Sequence, residues 1–78
     1  MATQWHGPVP ESCDICGDAD AIADEFIDGA TQYARWGFMC DACFRIVGVG
    51  LGPGRGQHYK LAEGVKRDAI GAFRKVAG

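Results

Sequence analysis

The sequence predicts a small α+β domain stabilised by zinc, and three observations carry that prediction. Two Cys-x-x-Cys pairs, Cys13-Asp14-Ile15-Cys16 and Cys40-Asp41-Ala42-Cys43, account for all four cysteines of the 78-residue chain. Between them, Asp28-Gly29 separates two runs rich in aromatic residues, the pattern of a β-hairpin. Apolar residues then recur with helical spacing near the C-terminus, at Leu61, Val65, Ala69, Ala72, Phe73 and Val76.

Size explains the need for a staple, because so short a chain buries too little surface to be comfortably stable on a hydrophobic core alone. Two Cys-x-x-Cys pairs can bring four thiolates to the corners of one tetrahedron, the geometry Zn²⁺ prefers. Disulfides are the competing staple, since four cysteines allow three pairings. The opening residues show neither the charged leader nor the apolar run of a secretory signal, and no apolar stretch is long enough to span a membrane. A cytoplasmic, reducing location is therefore expected, where paired cysteines more often hold a metal than each other. The expected cofactor is one structural Zn²⁺ per chain, held by Cys13, Cys16, Cys40 and Cys43. His6 is a further potential donor, but four sulfurs already complete the shell.

Charge is distributed unevenly. Residues 1–43 carry eight carboxylates against Arg35 alone, a net of -7, whereas residues 44–78 carry seven cations against Glu63 and Asp68, a net of +5. Four thiolates around one Zn²⁺ add a further -2 to the first half. A basic surface at one end, mutual attraction of the two halves, and simple solvation of paired charges are all compatible with this asymmetry.

Residues 1–11 read as an extended arm, with Pro8 and Pro10 and no apolar period. Trp5 is either a core residue or an exposed contact, and packing is favoured in a protein with few other large apolar groups. Cys13 to Gly17 has the form of a zinc knuckle, a turn whose amides point at sulfur and whose last position, Gly17, takes a positive φ. Glu25-Phe26-Ile27 and roughly Thr31 to Met39 are read as strands joined through Asp28-Gly29, with Phe26 and Phe38 in the core. Alternation sets Tyr33 on the face opposite Trp36 and Phe38, leaving one face available to solvent.

A short helix is expected from Asp41 to Val47, with first-turn amides free to donate to thiolate and Gly48 as its stop. Gly48, Gly50, Gly52, Gly54 and Gly56 recur at every second residue, so an extended chain there has one bare face, while a loop packs its backbone on the domain. That bare face can approach the protein's own aromatics, a partner or a phosphate, with Arg55 beside it. From Leu61 to Ala77 an amphipathic helix is expected, with Lys60, Arg67 and Arg74 in a row opposite its apolar face and Ile70 outside the apolar arc. The expected organisation is an arm over 1–11, a four-cysteine zinc-binding domain with its Gly-rich segment over 12–60, and the C-terminal helix over 61–78 packed on it.

A knuckle, a hairpin and a second cysteine pair opening a helix are the parts, in order, by which residues 13–47 resemble treble-clef zinc fingers. The stretch Trp36-Gly37-Phe38-Met39-Cys40-Asp41-Ala42-Cys43-Phe44, followed by Gly48 to Gln57, is also similar to small, mostly uncharacterised proteins encoded by bacteriophages. The first resemblance implies a module that binds nucleic acid or protein, since only some treble clefs are enzymes. The second implies a host cytoplasm, with a host protein or a viral assembly as partner.

Catalysis is not expected, because four cysteines leave no ligand position for water, and Asp14 and Asp41 have no evident histidine partner. The alternating glycines lack the βαβ setting of a dinucleotide site and the Gly-Lys-Ser/Thr ending of a phosphate loop. The sequence therefore points to a zinc-built scaffold presenting the basic helix and the Gly-rich strand to a macromolecule. A protein is favoured over nucleic acid, because the net charge of -2 is a weak electrostatic footprint for the latter. Candidate contact residues are Arg55, Lys60, Arg67, Arg74, Tyr33 and Trp36, and a homodimer through Tyr33, Trp36 or the helix is a third arrangement.

Overall fold

The computed structural model describes residues 3–33 and 35–78. Met1 and Ala2 of the expected arm, and Ala34 of the expected second strand, lie outside the described residues. The chain forms a four-stranded antiparallel sheet and one α-helix, with β1 at Glu25–Ala30, β2 at Trp36–Met39, α1 at Asp41–Val47, β3 at Gly56–Leu61 and β4 at Phe73–Ala77. The strand order is β2-β1-β3-β4, so the two strands nearest the cysteines form one half of the sheet. No helix among the described residues is long and apolar enough to cross a membrane.

Side chains alternate across a strand, and the register therefore sorts the apolar residues into two layers. Phe26 pairs with Tyr59, and Leu61 with Phe73, which puts these side chains on one face. Trp5 sits on that face, edge-on to Phe26 at 5.3 Å, Phe38 at 5.4 Å and Tyr59 at 5.3 Å. Such edge-to-face contacts set the positive rim of one ring against the negative face of another. The arm is held there by backbone pairing with β4, Trp5 donating to the Phe73 carbonyl at 2.8 Å and Lys75 to the Thr3 carbonyl at 2.6 Å. Trp5 is thus a packing residue. On the opposite face Ile27 and Met39 are register partners and fully buried, and α1, lying against β1 and β2, closes this layer with its buried Cys43 and Val47.

The hairpin exists, but its turn is not at Asp28-Gly29. Both residues lie inside β1, which runs on to Ala30, and the turn residues Gln32 and Tyr33 come only after it. Gly29 serves a different purpose. It faces Gly37 on one side and Gly56 on the other, and a Cβ placed on it would stand 2.9 Å from the Arg55 carbonyl oxygen and 3.1 Å from the Gly56 Cα. Close backbone approach, rather than turn handedness, requires the glycine. Because β2 begins only at Trp36, Tyr33 belongs to the turn, and strand alternation does not apply to it.

The Gly-rich stretch is a loop. Gly50, Gly52 and Gly54 have positive φ, incompatible with an extended strand. The loop folds back on itself, with Gly52 donating to the Gly56 carbonyl at 2.8 Å and Gly56 to the Gly52 carbonyl at 3.1 Å. Its backbone then packs on β1, where the Ala30 amide donates to the Arg55 carbonyl at 2.8 Å.

The expected C-terminal helix over 61–78 is absent, and so is a separate C-terminal element packed on a zinc domain. Leu61 ends β3, residues 62–72 form turns, and Phe73–Ala77 is β4, an integral strand of the sheet. Two forces outweigh the helical period. Gly64 and Gly71 adopt φ of 75° and 71°, and each glycine already costs a helix about 1 kcal/mol relative to alanine. The outer edge of β3 also needs partners for its amides and carbonyls, which β4 supplies.

Candidate metal centre

Local backbone demands shape the site. The first pair sits in a tight turn in which the Gly17 amide donates to the Cys13 carbonyl at 2.8 Å, and Gly17 takes the positive φ, 76°, expected of it. The second pair straddles the start of α1. Cys40 is the N-cap, its sulfur accepting from the Cys43 amide at 3.5 Å, and Cys43 projects from the first turn. The helix ends at Gly48 in extended geometry, its amide donating to the Phe44 carbonyl.

These elements bring the four sulfurs within 4.8 Å of one another, with Cys16 Sγ and Cys40 Sγ 3.9 Å apart. Four sulfurs at the zinc–thiolate distance from a common centre stand about 3.8 Å apart at tetrahedral angles. The cluster therefore has the dimensions of a tetrahedral four-sulfur site. No disulfide forms, and all four thiols are free. Cys13, Cys40 and Cys43 are buried, whereas Cys16 is exposed.

Amide donors polarise the cluster. The Ile15 and Cys40 amides donate to Cys13 Sγ at 3.4 and 3.3 Å. Burial pushes the Cys13 thiol up, but donation from the amides of Cys16, Cys40 and Ile15 outweighs it and lowers the pKa to about 7. Burial, reinforced by the neighbouring thiols, holds Cys43 well above its ordinary value. At Cys16 the Asp18 amide pulls down, but the Cys13 thiol and desolvation prevail and the pKa is raised. Four sulfur donors, one of them lowered to about 7, form a soft set that suits a thiophilic cation. Among the described residues these cysteines are the only such group, and His6 is not part of it.

The knuckle is fastened to the sheet by Asp14. Its amide donates to the Phe38 carbonyl at 2.8 Å, and its Oδ2 accepts from the Phe38 amide at 2.9 Å. In the sequence Asp14 stands out only as an acid without a partner; its place inside a Cys-x-x-Cys turn is the available signal for a backbone role.

The remaining candidate residues do not gather into one surface. Tyr33 and Trp36, 71% and 51% exposed, line a cleft of about 610 Å³ with Asp14, Ile15, Thr31 and Arg35. The Trp36 indole N–H donates to Asp28. Lys60 and Arg74 are exposed cross-strand partners on β3 and β4, away from that cleft. Arg55 is exposed and lies over Gly52, where a Cβ would come within 2.8 Å of its guanidinium. Arg67 is turned inward, donating to the carbonyls of Pro10 at 3.1 Å and of Ile22 and Ala23 at 3.3 Å, with its guanidinium 5.6 Å from the Phe73 ring centre. The basic row of Lys60, Arg67 and Arg74 is therefore broken up.

No family model, no curated protein and no solved structure matches the chain.

Proposed function

We infer that this chain is a non-catalytic binding module built on one structural Zn²⁺, of the treble-clef kind, and that its partner is a protein. The observation that carries the reading is the convergence of four sulfurs, two from a knuckle and two from a helix start, within 4.8 Å. With all four corners supplied by cysteine, zinc has no position left for water and acts as a cross-link. The sequence order of knuckle, hairpin and helix supports the treble-clef assignment. The resemblance to bacteriophage proteins supports a host protein or a viral assembly as the partner, met in the host cytoplasm.

The basic helix first expected to make the contact is not there, so the surface lies elsewhere. Tyr33 and Trp36 expose aromatic area together in one cleft beside the knuckle, and clustered apolar exposure is the kind that marks a contact surface. A second reading, nucleic-acid binding, draws on Lys60 and Arg74, whose positions directly opposite each other on the sheet concentrate charge that phosphate would relieve.

Capture with the tagged, zinc-loaded protein separates the two. A protein partner survives nuclease treatment and is lost in Trp36→Ala; a nucleic-acid partner disappears with nuclease, and its binding falls steeply with salt and in Arg74→Glu. Retention of no partner by wild-type protein, or turnover of a substrate at the cysteine cluster, would overturn the reading.

A further inference from the structure

The outer edge of β2 is only half closed. Ala30 directs its amide to the Arg55 carbonyl on the β3 side, so Trp36, its register partner on β2, turns its own N–H and C=O away from β1. Two residues further on, the same outward groups of Phe38 are both taken by Asp14. Those of Trp36 have no partner among the described residues. An unpaired strand edge is a template for another extended chain.

Trp36 also lines the cleft of about 610 Å³, together with Asp14, Ile15, Thr31, Tyr33 and Arg35. Ile15, Tyr33 and Trp36 give it exposed apolar walls. Its lining holds one carboxylate, Asp14, and one guanidinium, Arg35, so any negative bias comes from the charges set around it. Asp14 uses one oxygen on Phe38 and is otherwise exposed, Asp28 sits behind the Trp36 indole, and the knuckle turn that contributes Ile15 also carries Cys16. A loaded four-thiolate zinc centre adds a net -2, and Arg35 is the one cation in the lining. Electron-rich faces of Trp36 and Tyr33 within such a field attract a cation.

We propose that this cleft binds an extended peptide segment of a partner protein, pairing its backbone with Trp36 and placing a lysine or arginine side chain against Tyr33, Trp36 and Asp14. The proposal rests on the reading of the chain as a binding module and names its partner's chemistry. A second copy of this chain fits poorly, because the Asp14 segment occupies the edge at Phe38 and blocks a whole strand from lying along β2. A short, narrow segment that stops at Asp14 meets no such obstacle. Metal binding and peptide binding are linked, since Asp14 and Ile15 lie between two of the cysteines.

The test is a titration of ¹⁵N-labelled, zinc-loaded protein, followed by NMR, with the capped pentapeptide Ala-Val-Lys-Val-Ala and its Ala-Val-Glu-Val-Ala counterpart. The lysine peptide is expected to shift the Trp36 amide and indole, Tyr33 and Ile15 saturably, with a dissociation constant on the order of 100 µM for so short a segment. Arg35→Glu should tighten it about threefold, and Tyr33→Ala, at a site too exposed to threaten folding, should weaken it about tenfold. No saturable shift at millimolar peptide in a folded sample overturns the proposal, as does an equal response to the glutamate peptide. Shifts of Trp36 that grow with protein concentration alone, with no peptide effect, replace the partner with a second copy. Zinc content is measured on the same sample. A protein that folds without metal overturns the zinc reading, while its peptide titration still decides the cleft.

Discussion

Asp14 and Phe38 exchange two hydrogen bonds, amide to carbonyl at 2.8 Å and amide to carboxylate at 2.9 Å, and through them the cysteine turn is fixed to the edge of the sheet. Removing the carboxylate in Asp14→Ala leaves the Phe38 amide without its acceptor. The expected cost is about 1 kcal/mol, read by urea unfolding, with Asn at this position retaining most of the stability because its side-chain oxygen still accepts. Equal destabilisation by Ala and Asn would contradict the assignment of that cost to the lost acceptor oxygen.

Arg67 is predicted to be structural. It gives three hydrogen bonds to the carbonyls of Pro10, Ile22 and Ala23, tying the turn region between β3 and β4 to the segment before β1. Arg67→Ala should destabilise the fold by about 2 kcal/mol, and Lys should rescue little, since a single ammonium cannot reproduce the guanidinium fork. Arg74→Glu, at an exposed strand position, should leave thermal stability nearly unchanged. A thermal shift of similar size for both variants would contradict the distinction drawn between them.

Gly29 is expected to tolerate no side chain. A Cβ 2.9 Å from the Arg55 carbonyl oxygen and 3.1 Å from the Gly56 Cα meets backbone on both counts, so the strands themselves must shift. Gly29→Ala should therefore destabilise by roughly 2 kcal/mol or more. A variant with wild-type stability would mean that β1 and the loop before β3 are not so close.

These residues also show what is legible in the sequence. The cysteine set, Gly17 and α1 are readable because local geometry determines them: ligand spacing, a positive φ, and a helix opening at its cap. Gly29 reads as a turn residue because its reason lies across the sheet, at Gly56, and nothing in its own neighbourhood reports that. The expectation of a C-terminal helix fails for a related reason. Leu61 and Phe73 share an apolar period, but they are register partners on two strands, and Gly64 and Gly71 bend the chain between them. Arg67, placed by its helical angle in a solvent-facing basic row, instead meets carbonyls from distant segments.

Metal affinity is predicted to rise with pH, in two regimes. Protons compete with the metal, and each thiol that must be deprotonated contributes about a tenfold change per pH unit below its pKa. Cys16 and Cys43 are raised above the ordinary thiol value, so both contribute throughout the neutral range. Cys13, lowered to about 7, is already ionised above that pH and contributes only below it. The plot of log affinity against pH should thus have a slope of roughly two or more near pH 8 and steepen by about one below pH 7. Competition with a chromogenic chelator, corrected for the chelator's own protons, gives the slope, and a pH-independent affinity would contradict the assignment of the cysteines as ligands.

We propose that one Zn²⁺, bound by the clustered Cys13, Cys16, Cys40 and Cys43, supplies the folding free energy that the small core lacks. The direct measurement is native mass spectrometry combined with circular dichroism, before and after chelation. The expected result is one zinc per chain, with loss of the cooperative thermal transition on chelation and its return on adding zinc back. A metal-free chain that keeps the same fold and the same melting temperature would contradict it.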